Sequence, residues 1–325
     1  MCLNRAKFKG LRATGGNTHN PPRGGNRHVK HLREREDSGA GIPYRETRRH
    51  FLRRAAVGGA ALMAGGSWTV LSGGKRPRIS RLTVRLPDLP LPLDGFTICQ
   101  LSDLHRGPLV PAEHLQHWVR LAMSLEADLI VITGDFVSVS ARYAPSCAAA
   151  LAPLRARYGV FGVLGNHDYW TGDAEGVRAA LTRAGVQVLM NGSVRLNVNG
   201  VEWWLCGIDD VWSGSPDLDA ALREVPEGAF HILLCHEPDF ADTAAARNVP
   251  LQLSGHSHGG QVRLPLVGAP LLPYLGQKYP WGLQRVANSG TLVYTNVGLG
   301  VSFPPIRFNS PPEITLLTLK RGSAV

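Results

Sequence analysis

The chain has few of the residues that would staple it covalently. Five cysteines in 325 residues, at positions 2, 99, 147, 206 and 235, are too few and too scattered for a disulfide framework. No CxxC pair is present, so a thiolate zinc site is not expected either. Cys99 and Cys235 lie inside apolar runs, where a small buried thiol is the expected role. Long hydrophobic runs are also missing: residues 55–71 form a mild stretch broken by glycines, marginal as a membrane span. No internal repeat is visible, which excludes solenoid architectures. Most of the chain also lacks net charge. The formal charge is +10, but residues 1–54 hold 14 Lys/Arg against 4 Asp/Glu, which leaves 21 of each sign over residues 55–325. A nucleic-acid binder needs a basic stripe on its folded part, so nucleic acid is not an expected partner.

The excess of positive charge belongs to a leader. Residues 1–46 are rich in Gly, Asn, Pro and Arg and cannot bury enough apolar surface to offset their ordering entropy, so a disordered basic segment is expected. Arg48-Arg49 followed by Phe51-Leu52 and the run 55–71 resembles the twin-arginine signal of bacterial export. Residues 47–74 therefore read as a signal for the twin-arginine machinery, either cleaved or kept as an inner-membrane anchor. Residues 75–325 would then work as a single domain, a monomer, in the periplasm or cell envelope.

Over that domain, short β-branched runs alternate with helical patterns, the mark of a layered α/β domain. Strands are predicted at 78–86, 96–101, 129–133, 160–163, 186–189, 194–198, 201–206, 231–235, 251–253, 292–296 and 314–319. Helices are predicted at 112–124, 147–157, 174–184, 218–223 and 240–247.

Five of the strands run straight into polar residues: Asp103-Leu104-His105, Gly134-Asp135, Gly165-Asn166-His167-Asp168, His236-Glu237, and Gly255-His256-Ser257-His258. In open α/β sheets ligands gather beyond the carboxyl ends of strands, so these loops can converge. Asp103, His105, Asp135, Asn166, His236, His256 and His258 offer carboxylate, imidazole and amide oxygen, which suits Mn, Fe, Zn, Co or Ni. Seven donors are too many for one tetrahedral ion and divide well over two. Two ions can clamp a phosphoryl oxygen and generate hydroxide at neutral pH.

The order Asp-x-His, Gly-Asp, Gly-Asn-His-Asp, His, Gly-His-x-His resembles the calcineurin-like metallophosphoesterase superfamily over roughly residues 78–320. GHSHGGQ (255–261) and the tail GLGVSFPPIRFNSPPEITLLTL (298–319) resemble its branch of exported or membrane-associated bacterial phosphodiesterases. The resemblance implies a four-layer α/β/β/α sandwich of two mixed sheets flanked by helices. It also implies a first metal on Asp103, His105, Asp135 and His258, and a second on Asn166, His236 and His256, with Asp135 bridging. His167 is the implied general acid or phosphate contact, with Asp168 orienting it by a hydrogen bond. The family's extended GDxxD form is absent, since Phe136-Val137-Ser138 follow Gly134-Asp135; only the first Asp is a ligand in that pattern.

The expected reaction is in-line hydrolysis of a phosphodiester or pyrophosphate by a bridging hydroxide, with His167 protonating the leaving oxygen. A cell-envelope or lipid-linked phosphoester is the expected substrate class, and a UDP-diacylglucosamine-type pyrophosphatase is the alternative. A non-catalytic metal- or phosphate-binding protein is the rival of another class, and would be marked by a lost ligand or a lost His167. Arg106 and Arg307 are possible phosphate contacts, though surface charge is the plainer reading. Trp170, Trp203, Trp204, Trp212 and Trp281 are expected mostly in the core, with some able to rim the site.

Overall fold

The computed structural model describes residues 76–323, so the leader and the export signal lie outside the described residues. Twelve strands form two six-stranded sheets. The first has the order β1 (Arg78–Leu86), β12 (Glu313–Arg321), β2 (Thr97–Leu101), β3 (Leu129–Thr133), β4 (Val160–Val163), β5 (Gln187–Val188). Its strands β2 to β5 are parallel, and β12 is parallel to β1 but antiparallel to β2. The second has the order β10 (Gly282–Arg285), β11 (Leu292–Thr295), β9 (Leu251–Ser254), β8 (His231–Leu234), β7 (Val201–Gly207), β6 (Gly192–Val198). Here β7, β8, β9 and β11 are parallel, with antiparallel strands at both edges.

Strand periodicity assigns each residue to a layer. In β2 and β3, Ile98, Leu129 and Val131 face the other sheet, where they meet Trp203, Leu205, Ile232, Leu234, Leu251 and Leu253. The alternate residues Cys99, Leu101, Ile130 and Ile132 face helices α1 (Ala112–Met123), α2 (Ala144–Leu151) and α4 (Ala174–Arg183). Helix α1 meets them with Leu115, Trp118, Val119 and Ala122, a stripe at helical spacing. On the far side, Trp204, Cys206 and Leu233 pack against α5 (Leu218–Leu222) and α6 (Ala241–Ala245). Helix, sheet, sheet and helix thus form the four expected layers. Strands buried on both faces read as continuous apolar runs, which is why β3 is Leu-Ile-Val-Ile-Thr.

Three local differences from the sequence reading have physical causes. Helix α2 ends at Leu151 rather than near 157, because Pro153 can neither donate to the helix nor follow a helical residue easily. The Gly-Asn-His-Asp run is not simply a loop but opens the short helix α3 (Asn166–Trp170). Strand β10 carries no strong apolar signal because it lies at a sheet edge, with Arg285 exposed. Cys99, Cys147, Cys206 and Cys235 are free and buried, as expected of inert packing thiols. Burial pushes the Cys99 and Cys206 thiols up to about 12. Among the described residues, no helix is long and apolar enough to cross a membrane.

Candidate metal centre

The parallel strands of both sheets end at one place. Asp103 and His105 follow β2, Asp135 follows β3, Asn166 follows β4, His236 follows β8, and His256 and His258 follow β9. All seven side chains belong to buried residues, an arrangement that polar groups sustain only with partners. Five of them (Asp103, His105, Asp135, His256 and His258) have φ between +50° and +67°, in the left-handed region that non-glycine residues rarely adopt. Strain of this kind persists where surrounding structure over-determines it, and here it clusters on the donors.

Backbone and side-chain hydrogen bonds hold the two sheets in register at this seam. Gln100 Nε2 donates to Ser254 O (2.9 Å) and to Thr133 Oγ1 (3.0 Å). His256 N–H donates to both Asp103 oxygens (3.0 and 3.1 Å). The approach is so close that a Cβ on Gly255 would collide with Ser102 Oγ and the Asp103 carboxylate, and one on Gly134 with the His236 ring. Only glycine fits at either point.

The ligand atoms of Asp103, His105, Asp135 and His258 all lie within 4.8 Å of one another. His105 Nε2 is 2.9 Å from His258 Nε2 and 3.4 Å from Asp135 Oδ2, and His258 Nε2 is 3.4 Å from Asp103 Oδ1. Donors about 2.1 Å from a common ion lie roughly 3.0–3.4 Å apart in octahedral or tetrahedral geometry, so the spacing fits. Asp135 Oδ2 faces the other way as well, with His236 Nε2 at 3.3 Å. Its Oδ1 accepts the His167 backbone N–H at 2.9 Å.

The second group of donors fits an ion by a different criterion. The His236 Nδ1–H donates to Thr133 O (2.7 Å), which leaves Nε2 buried, aimed past Asp135 and without a hydrogen bond. Asn166 Oδ1 is likewise buried without a partner. The His256 Nε2–H donates to Tyr274 O (2.7 Å), freeing Nδ1, and the His236 and His256 rings are 4.9 Å apart. Backbone carbonyls that fix an imidazole's tautomer are the usual outer support of a metal ligand.

Electrostatics agree with this reading. Burial holds His105 down to about 3 and His258 and His256 below their usual range, which keeps these imidazoles in the neutral form that binds metal. Burial opposes charge on Asp135, yet His236, His167 and His105 outweigh it and hold its carboxyl well below the usual range. Burial likewise opposes charge on His236, but Asp135 pushes it well above the usual value. Negative charge on Asp135 and positive charge on His236 thus sustain each other in a buried place.

His167 stands at the mouth, half-buried, its ring edge-on to His105 at 4.7 Å. Asp168 does not orient it as expected. Its carboxylate accepts from the backbone N–H groups of Phe136 (3.2 Å), Val137 (3.0 Å) and Gly165 (3.0 Å), and the His167 Nδ1 faces Ser138 O at 3.3 Å. Consecutive helical residues point in different directions, so Asp168 braces the loops while a carbonyl holds the ring. Arg307 is buried, not a surface charge, and donates to the carbonyls of Gly300 (2.7 Å), Val297 (2.9 Å) and Ser310 (3.1 Å) behind His258. Arg106 donates to Gly107 O (2.7 Å) and Val110 O (3.1 Å). The Arg106 guanidinium is committed to backbone, and that of Arg307 to backbone and to His258 Nδ1, 3.1 Å from its Nη2.

The tryptophans divide. Trp203 and Trp204 are core residues, whereas Trp170 and Trp212 are 52% and 40% exposed and stand beside the donors. Their rings are 5.0 Å apart, with Trp170 4.7 Å from His167 and Trp212 5.8 Å from His256. The loop bearing Trp212 is anchored by two buried acids that sequence reasoning passed over. Glu237 accepts from Val211 N (3.1 Å) and Trp212 N (3.3 Å), and Asp210 accepts from Ser213 N (2.6 Å). Burial and neighbouring Glu237 push Asp210 up to about 9, so it is the protonated member of the pair. The signal was present: Asp209-Asp210 follows β7 as the other polar motifs follow their strands.

Comparison with known proteins agrees with this site. Residues 96–260 match the calcineurin-like phosphoesterase family. The metallophosphoesterase YkuE of Bacillus subtilis is 34% identical over 84% of this chain and 98% of its own length. The phosphodiesterase YaeI of Escherichia coli is 31% identical over 69% of this chain and 82% of its own. A Bos taurus transmembrane protein with a metallophosphoesterase domain is 35% identical over 77% of this chain, and the match spans 59% of that longer protein. The chain belongs to the calcineurin-like phosphoesterases and is a metal-dependent phosphoester hydrolase.

Proposed function

We propose that the protein is a dinuclear phosphodiesterase or pyrophosphatase, with one metal ion on Asp103, His105, Asp135 and His258 and a second on Asp135, Asn166, His236 and His256. The observation that carries this reading is the position of Asp135 Oδ2, 3.4 Å from His105 Nε2 on one side and 3.3 Å from the unpartnered His236 Nε2 on the other. One carboxylate oxygen thus serves both donor sets. When bound, the ions supply an activated water at neutral pH and neutralise phosphoryl oxygens.

The chain's own residues perform the remaining work. His105, His256 and His258 stay neutral because they are buried, and Thr133 O and Tyr274 O orient the rings of His236 and His256. His167 holds a proton at its ring beside the donors and delivers it to the leaving oxygen. Asp168 fixes the loops after β3 and β4 relative to each other. Metal analysis of the purified protein, with hydrolysis of bis-p-nitrophenyl phosphate, p-nitrophenyl phosphate and UDP-diacylglucosamine, tests the reading and separates diester, monoester and pyrophosphate. Protein that retains no divalent metal, or that hydrolyses none of the three when loaded, overturns it.

The substrate we favour is a cell-envelope or lipid-linked phosphoester, because Arg48-Arg49 and the run 55–71 point to export through the twin-arginine route. A lipid A precursor processed inside the cell fits an exported enzyme less well. Replacing Arg48 and Arg49 together by Lys and fractionating cells tests the localisation; unchanged export sinks it.

A further inference from the structure

Beyond Gly260, where the match to the family's phosphoesterase segment ends, the chain builds two loops beside the site. Residues 264–275, LPLVGAPLLPYL, contain no charged residue. Gly268 N donates to Leu264 O (2.9 Å) and Leu264 N to Gly268 O (2.8 Å), closing a turn with Leu266 and Val267 at its tip. Leu266 is fully exposed and Val267 is 70% exposed. In the second loop Phe303 is 87% exposed. The loops share a root, because Gln261 Nε2 donates to Ser302 O (3.2 Å) and Pro304 O (2.9 Å) while its Oε1 accepts from Ser302 N (2.9 Å). Single exposed apolar residues are ordinary, but large ones projecting from neighbouring loops mark a contact surface.

An aromatic ridge connects the first loop to the metal centre. Trp170, Trp212 and Tyr274 follow one another at ring separations of 5.0 and 5.7 Å. The ridge begins at His167 and ends in the loop itself, where Tyr274 O accepts from His256. A cationic flank lies at the base of the same loop. Arg263 stacks 3.9 Å over Trp281 and feels the charge of Arg78; the buried Glu313, paired with Arg78 at 2.7 Å, leaves the two guanidinium groups with a net charge of one. Arg78 is also the first residue of β1. Exposed aliphatic tips with aromatic and arginine neighbours are the composition of a surface that sits in an anionic lipid interface. A turn projecting a bare leucine suits immersion in a deformable apolar phase.

We propose that the loops 264–275 and 302–304 dock the protein on an anionic lipid bilayer, with Leu266, Val267 and Phe303 entering it and the Trp170–Trp212–Tyr274 ridge leading a bilayer-borne phosphoester to the metal centre. The binding stands by itself, while the choice of substrate rests on the phosphoesterase reading.

The test uses the full chain with Cys2→Ser and Leu266→Cys, labelled at 266 with an environment-sensitive fluorophore; Cys99, Cys147, Cys206 and Cys235 are buried. A second labelled chain carries Cys2→Ser with Arg247→Cys at an exposed position near α6. Phosphatidylglycerol-rich vesicles should shift the emission of the 266 label to the blue and leave the 247 label unchanged. In the Leu266→Ser/Val267→Ser/Phe303→Ser chain, hydrolysis of a phosphodiester lipid in those vesicles should fall roughly tenfold or more. Hydrolysis of soluble bis-p-nitrophenyl phosphate by that chain should be unchanged. A 266 label that stays in water on these vesicles overturns the proposal. So does one already shielded without vesicles, by residues 47–75, a second copy or a protein partner, and so does an equal response on pure phosphatidylcholine. Absence of soluble phosphodiesterase activity from the unsubstituted, metal-loaded chain, with the 266 shift intact, would strike the phosphoesterase reading and leave the docking surface standing.

Discussion

The first sheet delivers Asp103, Asp135 and Asn166 with one ligand imidazole, His105, whereas the second delivers His236, His256 and His258 and no ligand carboxylate. The oxygen-rich half concentrates negative charge in a buried place, where burial, opposed by His236 and reinforced by Asp135, pushes Asp103 up to about 7. The nitrogen-rich half contributes three imidazoles, of which His236 and His256 are oriented by carbonyls, one of them Thr133 O from the opposite sheet. Neither half completes a coordination shell alone. The difference sets carboxylate against imidazole across the seam between the two sheets.

Asp135→Ala removes the oxygen that serves both halves and should have the largest effect. We expect a loss of about 10⁴-fold or more in kcat/KM, worth roughly 5 kcal/mol of transition-state stabilisation. Metal content, read by elemental analysis, should fall with it. His236→Ala strikes only the nitrogen-rich half. It should lower metal content partially, leaving the cluster of Asp103, His105, Asp135 and His258 able to hold an ion; complete loss of metal would show that the halves do not bind separately. His167→Ala belongs to neither half and should slow turnover about 10²–10⁴-fold with metal content unchanged. Gly255→Ala attacks the seam by forcing a methyl group against Ser102 and Asp103. A cost of about 1–3 kcal/mol is expected from overpacking, a fall of roughly 2–12 °C in Tm by calorimetry.

The donors were legible in the sequence because each follows a run of apolar, β-branched residues that can only be a buried strand. Asp135 after Leu-Ile-Val-Ile-Thr is the clearest case. The layers were legible for the same reason. What escaped was set by tertiary contact rather than by local pattern. Asp168 reads as a partner for His167 because it is adjacent in sequence, yet its carboxylate caps the backbone of a loop 32 residues away. Arg307 reads as a surface charge, and only the fold reveals that it closes a set of carbonyls behind His258. The tryptophans have no periodicity that separates Trp204, against the helices, from Trp212, against solvent. The pairing of Asp210 with Glu237 requires two strand ends to meet, and nothing near either residue announces it.

Strand β12 lies between β1 and β2, paired with the first along nine residues and with the second along four. All seven donors have left the ribosome once residue 258 has emerged, yet the sheet that carries four of them still lacks its second strand. The nascent chain therefore holds all seven donors before β12 can join β1 to β2. A chain cut short after the final histidine would carry every donor but leave β1 without its partner strand.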